Sequence, residues 1–138
     1  MHSILVKDYM DQAPHAVSNT STILDAVSLL MDAKISGAPV IDKDKNLVGF
    51  VSEQDCIKEM LNNTFYCEEP AAVTSVMSKE VKTVSPETSI VEIAEKMSKA
   101  PPKNYPVVDS NGKLLGVMSR RLLLKALLEN DEDCYIHT

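Results

Sequence analysis

Apolar positions follow the same order twice along the chain. From residue 21 to 34 they recur at helical spacing, at Ile23, Ala26, Val27 and Leu30, behind the polar pair Ser21-Thr22. Residues 88–100 repeat the arrangement, with Ile90, Ile93, Ala94 and Met97 behind Thr88-Ser89. Ser89 with Glu92 three residues on fits a capping box, in which each side chain serves the other residue's backbone amide; Thr22 with Asp25 is a weaker version. The first helix should end near Lys34. The second must end by Ala100, because Pro101-Pro102 cannot continue it.

A hairpin pattern follows each helix. Pro39-Val40-Ile41 and Leu47-Val48-Gly49-Phe50-Val51 flank the polar run Asp42–Asn46, and Pro106-Val107-Val108 and Leu114–Met118 flank Asp109–Lys113. Asn111-Gly112 between apolar runs is a strong hairpin signal. The runs are almost wholly apolar, which predicts a sheet covered on both faces. A second helix opens at Ser52 or Ser119 and carries Ile57, Met60, Leu61 or Leu123, Leu124, Leu127, Leu128. Ahead of each first helix lie a short turn (6–10 or 73–77) and a short extended piece (15–18 or 82–85).

The correspondence is gapless. Residues 73–128 moved back by 67 positions lie on residues 6–61, and 14 of the 56 pairs are identical. Average residue usage would give about three or four by chance. The expected organisation is one repeat over 1–61, a linker over 62–72, a second repeat over 73–128 and an acidic, fraying tail over 129–138. Each repeat reads β-α-β-β-α. A unit of that size has trouble burying enough surface alone, so the fold class expected is mixed α/β, two tandem repeats packed with pseudo-twofold symmetry.

Charge narrows the function. The net charge of −6 argues against a nucleic-acid scaffold. Lysines and acids are interspersed, without a polybasic membrane patch, and no apolar run approaches the roughly 20 residues that span a bilayer. The N-terminal stretch is too soon interrupted for a signal peptide. Three cysteines, Cys56, Cys67 and Cys134, make a poor disulfide framework and point to a reducing cytoplasm. With His2, His15 and His137 dispersed, no metal site is expected.

The run Ser36-Gly37-Ala38-Pro39-Val40-Ile41-Asp42, followed by Leu47–Asp55, resembles the cystathionine-β-synthase (CBS) domain family. Tyr105–Asp109 followed by Gly116–Arg121 resembles it again, and the two matches cover nearly the whole chain. The resemblance implies a tandem pair, or Bateman module. Such modules bind adenine nucleotides or related adenosyl ligands in clefts between the repeats, and commonly dimerise into a flat disk.

The family's ligand motif, Gly-h-h-Ser/Thr-x-x-Asp, is complete at Gly49–Asp55. Gly49 would let the chain approach a ligand closely. Ser52 opens a helix whose free amides suit a phosphate, and Asp55 offers a carboxylate to both ribose hydroxyls. The same Ser52/Asp55 spacing is also that of a capping pair. In the second repeat Leu122 replaces the aspartate, and Arg120 and Arg121 stand in place of Glu53 and Gln54. Two arginines at a helix start can clamp phosphates, or be solvated surface charges.

The family assembles its clefts crosswise. One cleft would thus join Ser52 and Asp55 to Thr88, Pro102, Lys103 and Asn104. A second, weaker one would join Ser119, Arg120 and Arg121 to Ser21, Ile35, Ser36 and Gly37. Ile35 and Pro102 would pack on a base, Ser36 and Asn104 would make polar contacts to it, and Lys103 would meet a phosphate or solvent.

The function implied is a small regulatory sensor. It would bind AMP, ADP, ATP or an S-adenosylmethionine-like compound, with no cofactor required, and signal as a homodimer to a separate protein effector. The alternative is a ligand-free structural or dimerisation module. No nucleophile–base pair, metal cluster or dinucleotide fingerprint suggests an enzyme. Cys56 at the helix start would gain some thiolate stabilisation there, but a buried, inert thiol is the simpler reading.

Overall fold

The computed structural model describes residues 3–66 and 69–136. It contains two compact units, and they are cut differently from the sequence repeats. One unit is contiguous, His15–Val81; the other is split, Met1–Pro14 with Lys82–Thr138.

In the contiguous unit, β1 (Val17–Ser18) pairs parallel with β2 (Gly37–Ile41), which pairs antiparallel with β3 (Leu47–Ser52). Helix α1 (Ile23–Ala33) lies between β1 and β2 in sequence, and α2 (Glu53–Tyr66) follows β3. Ile23, Ala26 and Leu30 of α1 are buried with Val40, Val51 and Cys56, as the helical spacing predicts. Ala38, Pro39 and Val40 are buried in succession, as expected of a strand covered on both faces, whereas β3 buries only alternate residues.

The core of this unit also takes Val73, fully buried, from the lead-in segment of the second repeat. That segment is tied down by Val73 N–H to Ser21 O (2.9 Å), Ile23 N–H to Ala71 O (2.9 Å), and reciprocal bonds between Phe50 and Ser78 (both 2.9 Å).

The split unit is built the same way. Helix α3 (Ile90–Lys99), strands β4 (Asn104–Val108) and β5 (Leu114–Ser119) and helix α4 (Arg120–Ile136) form it. The expected strand over 82–85 reduces to one parallel bridge, Val84 to Val107. Here the lead-in segment is the chain's own beginning. Val6 is fully buried among Ile90, Ile93, Val107 and Met118. Its N–H donates to Thr88 O (2.9 Å), and Asp11 and Val117 exchange backbone bonds (2.9 and 3.1 Å).

Helix ends explain several residues. Thr22 and Asp25 form the full capping box: Thr22 N–H donates to Asp25 Oδ2 (2.9 Å) and Asp25 N–H to Thr22 Oγ1 (3.4 Å). Ser89 instead accepts from Val91 N–H (3.1 Å), one residue short of Glu92. The stronger box is therefore the one ranked second by sequence, because the Ser89 hydroxyl is turned to the nearer amide. Helix α1 stops at Lys34 in the left-handed conformation (φ 57°), and α3 stops at Ala100.

In the hairpin loops Asp42 Oδ1 accepts from Asp44 and Asn46 N–H (both 2.9 Å), and Asp109 Oδ1 accepts from Asn111 and Lys113 N–H (2.8 and 3.0 Å). The left-handed loop position is Gly112 (φ 84°) in one and Lys45 (φ 66°) in the other.

Two helices run longer than their apolar patterns. Helix α2 continues past Asn62 to Tyr66, into the expected linker, and α4 continues through the acidic stretch to Ile136. Asn130 helps explain the second: its Nδ2 donates to Ala126 O (2.9 Å), Ser3 O (3.4 Å) and Tyr9 Oη (3.4 Å), joining α4 to the N-terminal segment. His2, Cys67 and His137 lie outside the described residues.

Candidate functional site

Ser52 and Asp55 form a closed reciprocal cap at the start of α2. Ser52 N–H and Oγ–H both donate to Asp55 Oδ2 (3.0 and 2.9 Å), and Asp55 N–H donates to Ser52 Oγ (3.2 Å). The capping alternative is thus realised. It does not exhaust Asp55. All its bonds converge on Oδ2, so among the described residues Oδ1 is open, on a carboxylate whose orientation is already set. Both side chains are half-buried.

The strand register brings Gly37 opposite Ser52, and Glu53 N–H donates to Ser36 O (2.9 Å). Ile35, Ser36, Gly37, Ser52 and Asp55 therefore cluster at one end of the β2–β3 ladder. Ile35 is half-buried against the core, and Ser36 is exposed. Ser21 lies elsewhere in the unit, its carbonyl occupied by Val73.

The split unit repeats the arrangement with different chemistry. Asn104 pairs with Ser119, Arg120 N–H donates to Lys103 O (3.1 Å), and Ser119 Oγ accepts from Leu122 N–H (3.2 Å). Leu122 packs against the core, so the position that holds a carboxylate in α2 is given to packing here. The first turn of α4 has no acid, and Lys103, Arg120 and Arg121 are all exposed. Pro102 is half-buried beside them in sequence. Thr88 Oγ1 accepts from Ser85 N–H (3.1 Å) at the approach to α3.

Two glycines and one cysteine have surroundings that explain them. A Cβ on Gly49 would lie 2.4 Å from Met77 Sδ and 2.9 Å from Ser78 O; on Gly116 it would lie 2.5 Å from Asp11 O and 2.8 Å from Met10 Sδ. What comes close to these glycines is the lead-in segment. Cys56 is 3 % exposed. Burial, and then the negative charges of Asp55 and Glu53, push its thiol pKa up, which makes it a poor nucleophile.

A surface that periodicity alone does not single out is also present. Ile57, Met60 and Leu61 of α2 are exposed, as are their equivalents Leu124, Leu127 and Leu128 of α4. The sign of it in the sequence is excess. Leu123 and Ala126 already supply the buried face of α4, so the other leucines encircle more of the helix than one core can cover.

The CBS domain model matches residues 6–62 and again 73–129. The chain belongs to the CBS domain family. A relative from Methanocaldococcus jannaschii, the protein MJ1426, is 31% identical, with 91% of this chain and 92% of that one covered. Among solved CBS-pair structures, CBSX2 in complex with AMP is 29% identical with a TM-score of 0.82, covering 94% of this chain and 99% of that one. The CBS domain pair of MJ0100, in complex with 5′-methylthioadenosine and S-adenosyl-L-methionine, is 25% identical with a TM-score of 0.75, covering 88% and 97%. These matches agree with the mixed α/β tandem repeats of the model. Among the described residues no cluster of His, Cys, Asp or Glu is placed to hold a metal, and no helix is long and apolar enough to cross a membrane.

Proposed function

We propose that this CBS pair is a regulatory module that binds an adenine nucleotide or related adenosyl compound and passes the resulting change in packing to a protein effector. The observation that carries the proposal is the open Oδ1 of Asp55, on a carboxylate fixed by Ser52 at a helix start. A ribose needs such an acceptor, and the orientation cost is already met by the cap. The relatives bound to AMP and to S-adenosylmethionine supply the ligand class.

In this proposal Ser52 and Asp55 read the ribose, with Thr88, Pro102, Lys103 and Asn104 completing the site. The second site, around Ser119, Arg120 and Arg121 with Ser21, Ile35, Ser36 and Gly37, lacks the carboxylate and binds more weakly. The module works as a homodimer in a reducing, cytoplasmic setting, its exposed helix faces serving as the self-association surface. No catalytic step is part of the proposal.

The test is calorimetric titration and thermal shift with AMP, ADP, ATP and S-adenosylmethionine. At least one should bind, and Asp55→Asn should weaken it at least tenfold with little loss of stability, because the amide oxygen can still accept from Ser52. The closed cap favours the second reading, a ligand-free structural module. That reading predicts unchanged melting with all four compounds, and such a result would reject ligand sensing.

A further inference from the structure

The loop between β4 and β5 is a turn by design and a reactive pair by chemistry. Asn111 is the one asparagine of this chain that precedes a glycine. A backbone nitrogen can attack the side-chain amide of an asparagine just before it, and a side chain on the attacking residue hinders the approach. Glycine presents none. Gly112 takes the left-handed backbone (φ 84°), and a Cβ built on it meets nothing within 4 Å, so no other element crowds this part of the loop. Asn111 is exposed, and among the described residues its side-chain amide has no hydrogen-bond partner. One bond restrains the attack: Gly112 N–H donates to Asp109 O (3.1 Å). It sits at a hairpin tip, where opening is local and does not require unfolding. The other hairpin shows the protected case. Asn46 precedes Leu47, and its Nδ2 is held by Asp42 Oδ2 (3.1 Å).

We infer that Asn111 is a site of spontaneous deamidation, and that isoaspartate is its damaging product. The Gly112 nitrogen gives its proton to base and bonds to Asn111 Cγ. The Cγ–Nδ2 bond breaks, and ammonia leaves with a proton taken from water. Water then opens the five-membered imide. Opening at the Cγ carbonyl restores the normal main chain and leaves aspartate. Opening at the main-chain carbonyl breaks its bond to the Gly112 nitrogen, so the chain now runs through the former side chain as isoaspartate.

The first repeat says how the two products differ. Asn111 is equivalent to Asp44. Asp44 N–H donates to Asp42 Oδ1 (2.9 Å) just as Asn111 N–H donates to Asp109 Oδ1 (2.8 Å). This loop geometry therefore already accommodates an aspartate. Isoaspartate adds a main-chain atom between Asp109 and Lys113, whose N–H also donates to Asp109 Oδ1 (3.0 Å). Loop length fixes strand register in a hairpin, so the extra atom loosens β4–β5 from its tip. The Asn104–Ser119 pair lies at the far end of that ladder.

The experiment is peptide mapping by mass spectrometry on the full chain, aged in warm, mildly alkaline buffer, with enzymatic methylation to count isoaspartyl carboxyls. Asn111 should react about tenfold faster than any other asparagine, and Gly112→Ala should slow it by about the same factor. Asn111→Gln, which leaves the glycine turn intact, should remove the isoaspartyl signal. Calorimetry then separates the products. Freshly prepared Asn111→Asp should melt within about 2 °C of the original, as a tolerated surface change does. Aged chain enriched in isoaspartate should melt lower. Modification of Asn111 no faster than of Asn46, or unslowed in Gly112→Ala, overturns the assignment of the site. Isoaspartate that melts like the original, or Asn111→Asp that melts as low as the aged chain, overturns the assignment of the damage.

Discussion

Gly49→Ala tests whether the lead-in segment is what makes this position small. The new methyl would sit 2.4 Å from Met77 Sδ, 2.9 Å from Met77 Cγ and 2.9 Å from Ser78 O. Met77 is flexible and half-buried, so its thioether can swing away. The Ser78 carbonyl cannot, because it accepts from Phe50 N–H at 2.9 Å and the Ser78 amide returns a bond to Phe50. Relief therefore means moving the segment off the strand. Overpacking of this kind costs about 1–3 kcal/mol. At an unfolding entropy of about 2.1 cal/mol/K per residue, a cost of about 2 kcal/mol lowers Tm by about 7 °C if the whole chain melts together.

Differential scanning calorimetry reads the shift directly. Two companions sharpen it. Met77→Ala added to Gly49→Ala should not restore stability, since the carbonyl contact remains. Gly112→Ala should lose only about 1 kcal/mol, for a left-handed backbone in open space that Lys45 adopts at the equivalent place. A Gly49→Ala chain melting within about 2 °C of the original would refute the claim that Ser78 closes this site.

Two further outcomes are expected. Cys56 is held neutral in the folded chain, so its contribution is complete below the ordinary thiol range and is lost as pH rises through the raised folded value. Urea unfolding from pH 8 to 10 should show a steeper fall in stability for the original chain than for Cys56→Ala; equal slopes would discount the buried thiol. Asn130→Ala removes donors to Ala126, Ser3 and Tyr9, should cost about 1 kcal/mol, and should speed amide exchange over residues 5–10; unchanged exchange there would discount the link between α4 and the N-terminal segment.

Much of the fold is legible in sequence because its signals are local. Helix α1 ends where Lys34 takes a left-handed backbone, and α3 ends before Pro101-Pro102. The hairpin loops close on Asp42 and Asp109. What periodicity reports is that a residue is buried, not what buries it. Val6 and Val73 look alike as isolated apolar positions, and nothing near them says that each completes the core of the other repeat. What crowds Gly49 is illegible for the same reason, since its neighbour Met77 is remote in sequence. At the candidate site the Ser52–Asp55 spacing foretells the hydrogen bonds themselves. The open oxygen left on Asp55 depends on which of two atoms takes them, and that is a fact of geometry.

The exchanged lead-in segments set an order of events during synthesis. Residues 15–81 hold everything their unit requires, so that unit can fold as soon as Val81 has left the ribosome. The other unit needs Val6 from the start of the chain and Ala126 from near its end. At roughly 5–20 residues per second, Ile4-Leu5-Val6 waits about 2–9 s longer with its apolar side chains unclaimed. Residues 4–6 are made before the rest of their unit and are put to use last. Its vulnerability to proteases and to wrong partners is therefore greatest while the second half is still being built.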